Sequence, residues 1–172
     1  MNRSLLPELR TSRLILRPLI PGDAQALFAL RSNEEVNRYL NRQRPVDIGE
    51  ALQFIGTITD GITANNWTYW CITRDGSALI GTICLWNFSQ DRRTAELGYE
   101  LHPDVQGQGI MGEALKKVLA FGLEVLGLNS VEAHVHRDNL KSIKLLLDHH
   151  FEAEPLKNPV EELKFVLRKG ET

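Results

Sequence analysis

The sequence lacks the features that mark metal sites, secretion signals and membrane spans. Its 172 residues include only two cysteines, Cys71 and Cys84, and neither has the Cys-x-x-Cys or Cys/His spacing of a metal site. We interpret both as buried, reduced thiols. No apolar run reaches the ~20 residues needed to cross a bilayer, and residues 1–11 contain no apolar signal-peptide core. We therefore expect a cytoplasmic protein with no membrane partner.

An excess of charge of either sign is also missing. The chain has 20 basic and 22 acidic residues, for a formal net charge of -2, and the basic residues are scattered along it. This distribution argues against a nucleic-acid partner, which would require a basic stripe or patch. Internal repeats, low-complexity stretches and linkers are absent as well, so we predict a single domain over residues 1–172.

The sequence does contain alternating helical and strand-like apolar patterns. Three runs rich in aromatic and β-branched residues, separated by turn residues, predict an antiparallel meander in the middle of the chain. Helical spacing of apolar residues predicts helices before and after it. The fold class is therefore α/β, with a mixed sheet covered by helices. The strands are predicted at residues 13–17, 67–73, 79–86, 94–101, 130–135, 151–153 and 163–167, and the helices at 24–31, from about 47, after 103 and at 140–149.

Two aspartates are predicted to begin helices. Asp23 precedes the first helix as an N-cap, and Asp47 with Glu50 three residues later forms a start similar to a capping box. In the helix that follows Asp47, three apolar residues are predicted to form the buried face. They are Ala51, Leu52 and Ile55.

The strongest chemical signal is the glycine-rich sequence QGQGIMG at residues 106–112, between a strand and an amphipathic helix. Glycine lets the backbone approach a ligand, and the free amides of a helix N-terminus favour a phosphate or pyrophosphate. Gly107, Gly109 and Gly112 also satisfy the dinucleotide-binding pattern G-x-G-x-x-G, but residues 102–106 separate them from the strand and too few strand–helix units follow. A plain turn at the start of a helix, without a ligand, is the third interpretation.

Four segments of the chain, taken together, are similar to one enzyme family. They are TSRLILRP at residues 11–18 followed by Asp23, LIGTICL at 79–85, AELGYEL at 95–101 leading to QGQGIMGEA at 106–114, and Asn139 with Ser142 before Phe151. In this pattern the chain resembles the GNAT superfamily of N-acetyltransferases, and within it the group that acetylates the N-terminal alanine or serine of ribosomal proteins. Met111, a larger residue at the last small position of the superfamily loop, is typical of that group. Leu146 stands where many members have a tyrosine.

The resemblance implies a GNAT fold, mostly antiparallel, in which two central strands splay apart and admit the arm of acetyl-CoA. It also implies that an amine attacks acetyl-CoA directly in a ternary complex, without a covalent enzyme intermediate. Asn139 is also explained simply as the N-cap of the last helix. The residues implied to bind acetyl-CoA are Leu101, Val105, Gln106, Gly107, Gln108, Gly109, Ile110, Met111, Gly112, Asn139 and Ser142.

Two residues are candidates for the chemistry. Glu100 alternates with Glu96 and Gly98 onto one face of its strand, close to the loop, and we interpret it as the general base that takes the amine proton. The alternative is an ordinary solvated glutamate, because an unperturbed carboxyl would need partial burial or a water relay to act as a base. By the resemblance, Ser142 stabilises the leaving thiolate or donates a proton to it. If the tyrosine replaced by Leu146 has that role in other members, another group must take it here.

The acceptor is an amine, and its basicity indicates which kind. Bringing a lysine amine of pKa ~10.4 to its neutral form at pH ~7.4 costs about 4 kcal/mol, against about 0.5 kcal/mol for an α-amine of pKa ~7.8. We therefore predict a protein N-terminus as the acceptor, with a small amine such as a polyamine or an antibiotic as the alternative. Two other classes stay open: an NAD(P)-dependent oxidoreductase and a non-catalytic CoA-binding module. The oligomeric state is predicted only as monomer or homodimer.

The acceptor cleft is expected between residues 37–45 and the loop at residues 156–161, which is short and predicts an open cleft on that side. His134 and His136 share one face of a predicted strand. Because no third ligand of suitable spacing accompanies these histidines, we predict no metal site.

Overall fold

One mixed sheet organises the chain in the computed structural model, which describes residues 6–157 and 161–170. Short 3-10 turns lie at Pro21–Asp23 and Pro103–Val105, and a π-helical turn at Phe121–Val125 continues the fourth helix. The helices are α1 (Ala24–Ser32), α2 (Glu34–Asn37), α3 (Ile48–Thr63), α4 (Ile110–Ala120) and α5 (Leu140–Asp148). The strands are β1 (Leu9–Arg10), β2 (Ile15–Arg17), β3 (Thr68–Thr73), β4 (Gly81–Trp86), β5 (Thr94–Leu101), β6 (Ser130–His136), β7 (Glu152–Glu154) and β8 (Glu162–Arg168).

The strands follow the order β1-β2-β3-β4-β5-β6-β8-β7 across the sheet, and neighbours are antiparallel except for β5 and β6. The pairing of β3 with β4 and of β4 with β5 confirms the predicted meander. The parallel contact between β5 and β6 is limited to residues 94–96 against 130–132. Beyond Glu96 these two strands separate, which agrees with the splayed pair that the resemblance implied.

Alternate residues of β3 face two different apolar cores. Trp70 and Ile72 pack with residues of α4 and α5, whereas Tyr69 and Cys71 pack with residues of α1 and α3. Because side chains alternate along a strand, a sheet that is apolar on both faces needs helices on both faces. The amphipathic helices supply this cover, so β5 has one helical layer on each side.

The buried face of α3 agrees with the sequence prediction in all but one residue. Ala51 and Ile55 are buried, and Ile58 continues the same face, but Leu52 is 45% exposed. Successive residues of a helix differ by about 100° around its axis, which places Leu52 beside the face of Ala51 and Ile55. The prediction of Leu52 as a core residue was therefore wrong.

The two aspartates predicted as helix caps behave differently. Asp47 Oδ1 accepts a hydrogen bond from the Glu50 amide at 2.8 Å, as predicted. Asp23 makes no side-chain cap to α1, because it is the last residue of the 3-10 turn and already has helical backbone angles, unlike the extended backbone typical of an N-cap. Its carboxylate instead accepts hydrogen bonds from Arg17 Nη1 at 2.9 Å and Nη2 at 2.8 Å. The prediction of Asp23 as a cap was wrong.

Two short elements, β1 and α2, escape sequence prediction because two and four residues are too few to show a periodicity.

The loop predicted to border the acceptor cleft at residues 156–161 includes residues 158–160, which lie outside the described residues. Within residues 6–157 and 161–170, every helix falls short of the length and apolar character that a membrane span requires.

Candidate active site

The glycine-rich loop bends sharply into the first turn of α4. Gly107 and Gly109 have positive φ angles of 77° and 74°, a conformation that L residues rarely adopt, and Gly109 is the N-cap of the helix. The first amides of a helix have no acceptor within it. The turn therefore presents main-chain donors and the positive end of the helix dipole at one point.

Side chains from distant parts of the chain fix this loop. Arg13 Nη1 donates a hydrogen bond to the Gln108 carbonyl at 2.9 Å, and Arg74 Nη2 donates to Gln108 Oε1 at 2.8 Å. In the first turn of α4, Glu113 accepts hydrogen bonds from Ser12 at 2.8 Å and from Arg13 at 3.1 Å. Two cations thus flank the loop, and sequence reasoning missed both because only the tertiary structure brings them there.

Several residues predicted to bind acetyl-CoA also have side-chain or main-chain partners within the protein. Gln106 Nε2 donates to the Leu101 carbonyl at 2.9 Å, and the Val105 amide donates to the His102 carbonyl at 3.1 Å. A Cβ at Gly112 would lie 3.3 Å from His149, so this glycine also lets α4 pack closely against the end of α5. Two further side chains, Ile110 and Met111, are buried in the core. These residues can therefore offer a ligand mainly their remaining main-chain groups.

The start of α5 brings Ser142 against β5. Asn139 Oδ1 accepts a hydrogen bond from the Ser142 amide at 3.3 Å, so Asn139 is the N-cap of α5. Ser142 is buried, and its hydroxyl contacts the hydroxyl of Tyr99 from β5. Burial raises the pKa of Tyr99 to about 12, so the phenol stays protonated. Tyr99 is a site residue that sequence reasoning missed, and its alternation with Glu100 along β5 was the signal available.

Glu100 lies on the opposite face of β5, which α1 covers. Its Oε1 accepts hydrogen bonds from Arg31 Nη1 at 3.2 Å and from Arg42 Nη1. The side chain is only 8% exposed, and Oε2 has no hydrogen-bond partner among the described residues. Glu100 is therefore a buried, ion-paired carboxylate, in contrast to the alternative of a solvated strand glutamate.

The two arginines reach Glu100 from different supports. Arg31 extends from α1, with its guanidinium carbon 4.0 Å from the centroid of the Phe54 ring. Arg42 belongs to the segment between α2 and α3, where its Nε donates to Asn37 Oδ1 at 2.9 Å. Burial, and then the positive charge of Arg31, lower the pKa of Arg42 to about 10. The predicted cleft wall at residues 37–45 thus contributes a cation directly to the candidate base.

Two histidines of β6 and the two cysteines are further candidates, by residue type, for metal binding or nucleophilic chemistry. His134 Nδ1 lies 3.4 Å from Glu162 Oε2, while His136 accepts a hydrogen bond from the Asp138 amide at 3.0 Å. No group of three or more metal-binding side chains is found among residues 6–157 and 161–170. Burial raises the pKa values of Cys71 and Cys84 to about 12, so neither thiol is a nucleophilic thiolate at neutral pH.

Comparison with known proteins adds independent findings. A family model for the acetyltransferase (GNAT) domain matches residues 13–152. An uncharacterized N-acetyltransferase of Bacillus subtilis (strain 168), YoaA, is 38% identical over 151 residues, which cover 87% of this chain and 85% of the relative. The structure of Mycobacterium smegmatis RimJ in complex with CoA-disulfide matches with a TM-score of 0.85 at 20% identity, over 98% of this chain and 90% of that chain. The structure of a ribosomal-protein-S5-alanine acetyltransferase from Vibrio fischeri matches with a TM-score of 0.79 at 18% identity, over 94% of this chain and 96% of that chain.

Proposed function

Since the chain belongs to the acetyltransferase (GNAT) family, we propose that it transfers the acetyl group of acetyl-CoA to the α-amine of a protein N-terminus. The observation that carries the proposal is the gap between β5 and β6 after Glu96, in the same sheet whose β5 leads into the glycine-rich turn of α4. Unpaired main-chain groups at such a gap can receive a narrow, extended ligand. Membership of this family also sets aside the interpretation as an NAD(P)-dependent oxidoreductase.

The loop residues fit a group with several negative charges. A Cβ at Gly107 would have no neighbour within 4 Å, so the outer side of the turn has room for a ligand. We assign the pyrophosphate of acetyl-CoA to the main-chain amides of Gly107 to Gly112, in keeping with the preference of helix N-termini for phosphate. Arg13 and Arg74, which already hold Gln108, add positive charge beside these amides.

The proton steps are assigned to opposite faces of β5. Acetyl-CoA supplies an activated thioester. On the face covered by α1, Glu100 accepts the proton that the amine loses as its nitrogen bonds to the acetyl carbon. On the face covered by α5, the Ser142 hydroxyl donates a hydrogen bond to the sulfur as the carbon–sulfur bond breaks. Tyr99 contacts Ser142 and can orient this hydroxyl by donating to it.

The ion pairs of Glu100 support an α-amine as the acceptor. Glu100 is held by two guanidinium groups, so it is suited to an amine that is already largely neutral near pH 7.4 rather than to a lysine. The ribosomal-protein acetyltransferase of Vibrio fischeri shares the fold of this chain, which is compatible with a protein N-terminus as acceptor.

Two measurements test the proposed function. Thermal unfolding is first measured in acetyl-CoA, CoA and NADPH. Only the two CoA compounds are expected to raise the free energy of unfolding, by about 2.7 kcal/mol at a concentration of 100 times Kd. Mass spectrometry is then expected to detect acetylation of a peptide with a free α-amine in preference to an N-terminally blocked peptide with one lysine. A shift with NADPH alone would contradict the proposal, and acetylation of polyamines but of no peptide would replace the protein acceptor by a small amine.

Replacing Gly109 with alanine is expected to weaken acetyl-CoA binding at least tenfold. The alanine would have to adopt a φ of 74° at the N-cap of α4, and its Cβ would lie 3.4 Å from Arg13 Nη2, so the loop amides could not keep their present directions. Binding is measured by isothermal titration calorimetry with acetyl-CoA.

Gly127→Ala is the matched control, because Gly127 has a φ of 75° and open space around its Cβ position but lies in the turn before β6. Both substitutions are expected to lower the free energy of unfolding by about 1 kcal/mol. Only Gly109→Ala should change the affinity for acetyl-CoA. Equal affinities of the two variants would remove the loop from the cofactor site.

A further inference from the structure

We infer that the preferred acceptor carries a carboxylate close to its amine, and that this carboxylate draws Arg42 away from Glu100 and so frees the base. The inference deepens the proposed function and rests on it, because it concerns the acceptor face of β5. Three side chains carry it through their charge, burial and hydrogen bonding. They are Arg31, Arg42 and Glu100.

The cluster has one positive charge in excess. Arg31 and Arg42 contact the same oxygen of Glu100, and the three side chains are 15%, 21% and 8% exposed, respectively. Arg44, from the same segment as Arg42, adds to the positive potential that lowers the pKa of Arg42. A surplus cation that is shielded from water favours a ligand with a negative charge.

Two atoms of the cluster also have unused hydrogen-bonding capacity. Glu100 Oε2 and Arg42 Nη2 are buried, and neither has a hydrogen-bond partner among the described residues. Buried polar atoms are normally paired. An acceptor that presents both an amine and a carboxylate can satisfy the two atoms together, whereas an amine without an acid can satisfy only Glu100 and brings a further positive charge in its ammonium form.

Arg42 is the arginine that can change partners. It lies in residues 38–47, which form neither helix nor strand, whereas Arg31 extends from α1 and stacks on Phe54. Asn37 accepts a hydrogen bond from Arg42 Nε, and because the guanidinium is planar, turning its terminal nitrogens from Glu100 towards a substrate carboxylate also shifts this bond. Glu100 then keeps one ion pair instead of two. As the nitrogen–carbon bond forms and the carbon–sulfur bond of acetyl-CoA breaks, the amine proton passes to Glu100 Oε2, the oxygen without a hydrogen-bond partner among the described residues.

A panel of matched amines tests the inference with the full-length enzyme and acetyl-CoA. The first pair consists of the peptides Ser-Glu-Glu-Ala-Ala-Gly and Ser-Gln-Gln-Ala-Ala-Gly, and the second of aspartic acid α-amide and aspartic acid diamide, so that the amine in each pair lies beside the same kind of amide. We expect kcat/KM to be about tenfold to a hundredfold higher for the acidic member of at least one pair, in line with a charge-assisted hydrogen bond. Preference within the peptide pair points to a peptide N-terminus, and preference within the other pair to a small amino acid.

Variants of Arg42 test the exchange of partners. In Arg42→Gln the ratio of kcat/KM for acidic over neutral amine is expected to fall at least tenfold, because the acid loses its partner while Glu100 is released for neutral amines. Arg42→Lys should keep part of the preference, since the charge remains. The control is Arg10→Gln, which removes an exposed arginine that pairs with Glu8 away from the site and should leave the ratio unchanged. Stabilisation by acetyl-CoA checks that each variant is folded.

The outcomes separate this inference from the proposed function. Acetylation of acidic and neutral amines at similar rates, or faster acetylation of the neutral ones, overturns the inference and leaves acetyl transfer intact. Stabilisation by acetyl-CoA without acetylation of either acidic amine also overturns it. Absence of both stabilisation and acetylation overturns the inference and the proposed function together. The comparison of wild-type rates decides the question even where Arg42→Gln does not fold.

Discussion

Replacing Glu100 with glutamine is expected to lower kcat for acetyl transfer about a hundredfold or more, because an amide cannot accept the amine proton. The deficit should shrink as the pH rises above ~8, where an α-amine is already neutral and needs the base less. Affinity for acetyl-CoA should stay the same, since Glu100 faces α1 and the glycine-rich loop precedes α4. The measurements are kcat and KM between pH 6.5 and 9 on an N-terminal peptide, together with thermal stabilisation by acetyl-CoA.

The matched control is Glu96→Gln, on the same face of β5 and at the last position paired with β6. Glu96 accepts a hydrogen bond from Asn87 at 3.2 Å and does not contact Arg31 or Arg42 in this structure. Its replacement is expected to leave kcat within about twofold of wild type. If Glu100→Gln also stayed within this range at every pH, Glu100 would be a positioning residue for the arginines and the base would have to be sought elsewhere.

Replacing Asp23 with asparagine is expected to lower the free energy of unfolding by about 3–5 kcal/mol, the range for breaking one side of a buried ion pair. Asp23 and Arg17 are only 4% and 11% exposed, and the Asp23 carboxylate also accepts a hydrogen bond from the Ile20 amide at 2.9 Å. Asp23 raises the pKa of Arg17 above its ordinary value in spite of burial. Without the carboxylate, a buried guanidinium keeps its charge and loses its partner. Urea denaturation followed by circular dichroism measures the difference.

The Asp23 variant should unfold at a temperature lower by on the order of 10 °C, given the size of the chain. Asp148→Asn is the control, because it breaks an exposed ion pair with Lys144 at 2.6 Å on α5 and should cost no more than ~0.5 kcal/mol. A loss for Asp23→Asn as small as that of the control would mean that Arg17 is satisfied by carbonyl groups alone. Those groups are present, since Arg17 Nε donates to the Gly76 carbonyl at 2.7 Å.

Local patterns predicted the elements that depend on neighbours in sequence. The strands of the meander, the start of α3 at Asp47 and the glycine-rich turn before α4 follow from residue alternation, a side-chain cap and positive φ angles. Errors occurred where a tertiary contact overrode a local preference. Asp23 is a good cap by composition, but the buried guanidinium of Arg17 is the stronger partner. Leu52 is apolar but lies just outside the buried face.

The candidate site shows the same division. Periodicity and spacing alone predict that Glu100 and Tyr99 face opposite sides of one strand, that a glycine-rich turn follows this strand and that Ser142 lies in the first turn of the last helix. The contacts of each side chain, in contrast, depend on the packing of distant elements. The order of strands in the sheet and the packing of α1 and α5 on its two faces bring Arg31 and Arg42 to Glu100, and Ser142 to Tyr99, across 43 to 69 residues of chain. Contacts over such separations depend on how whole elements pack, which no local pattern encodes.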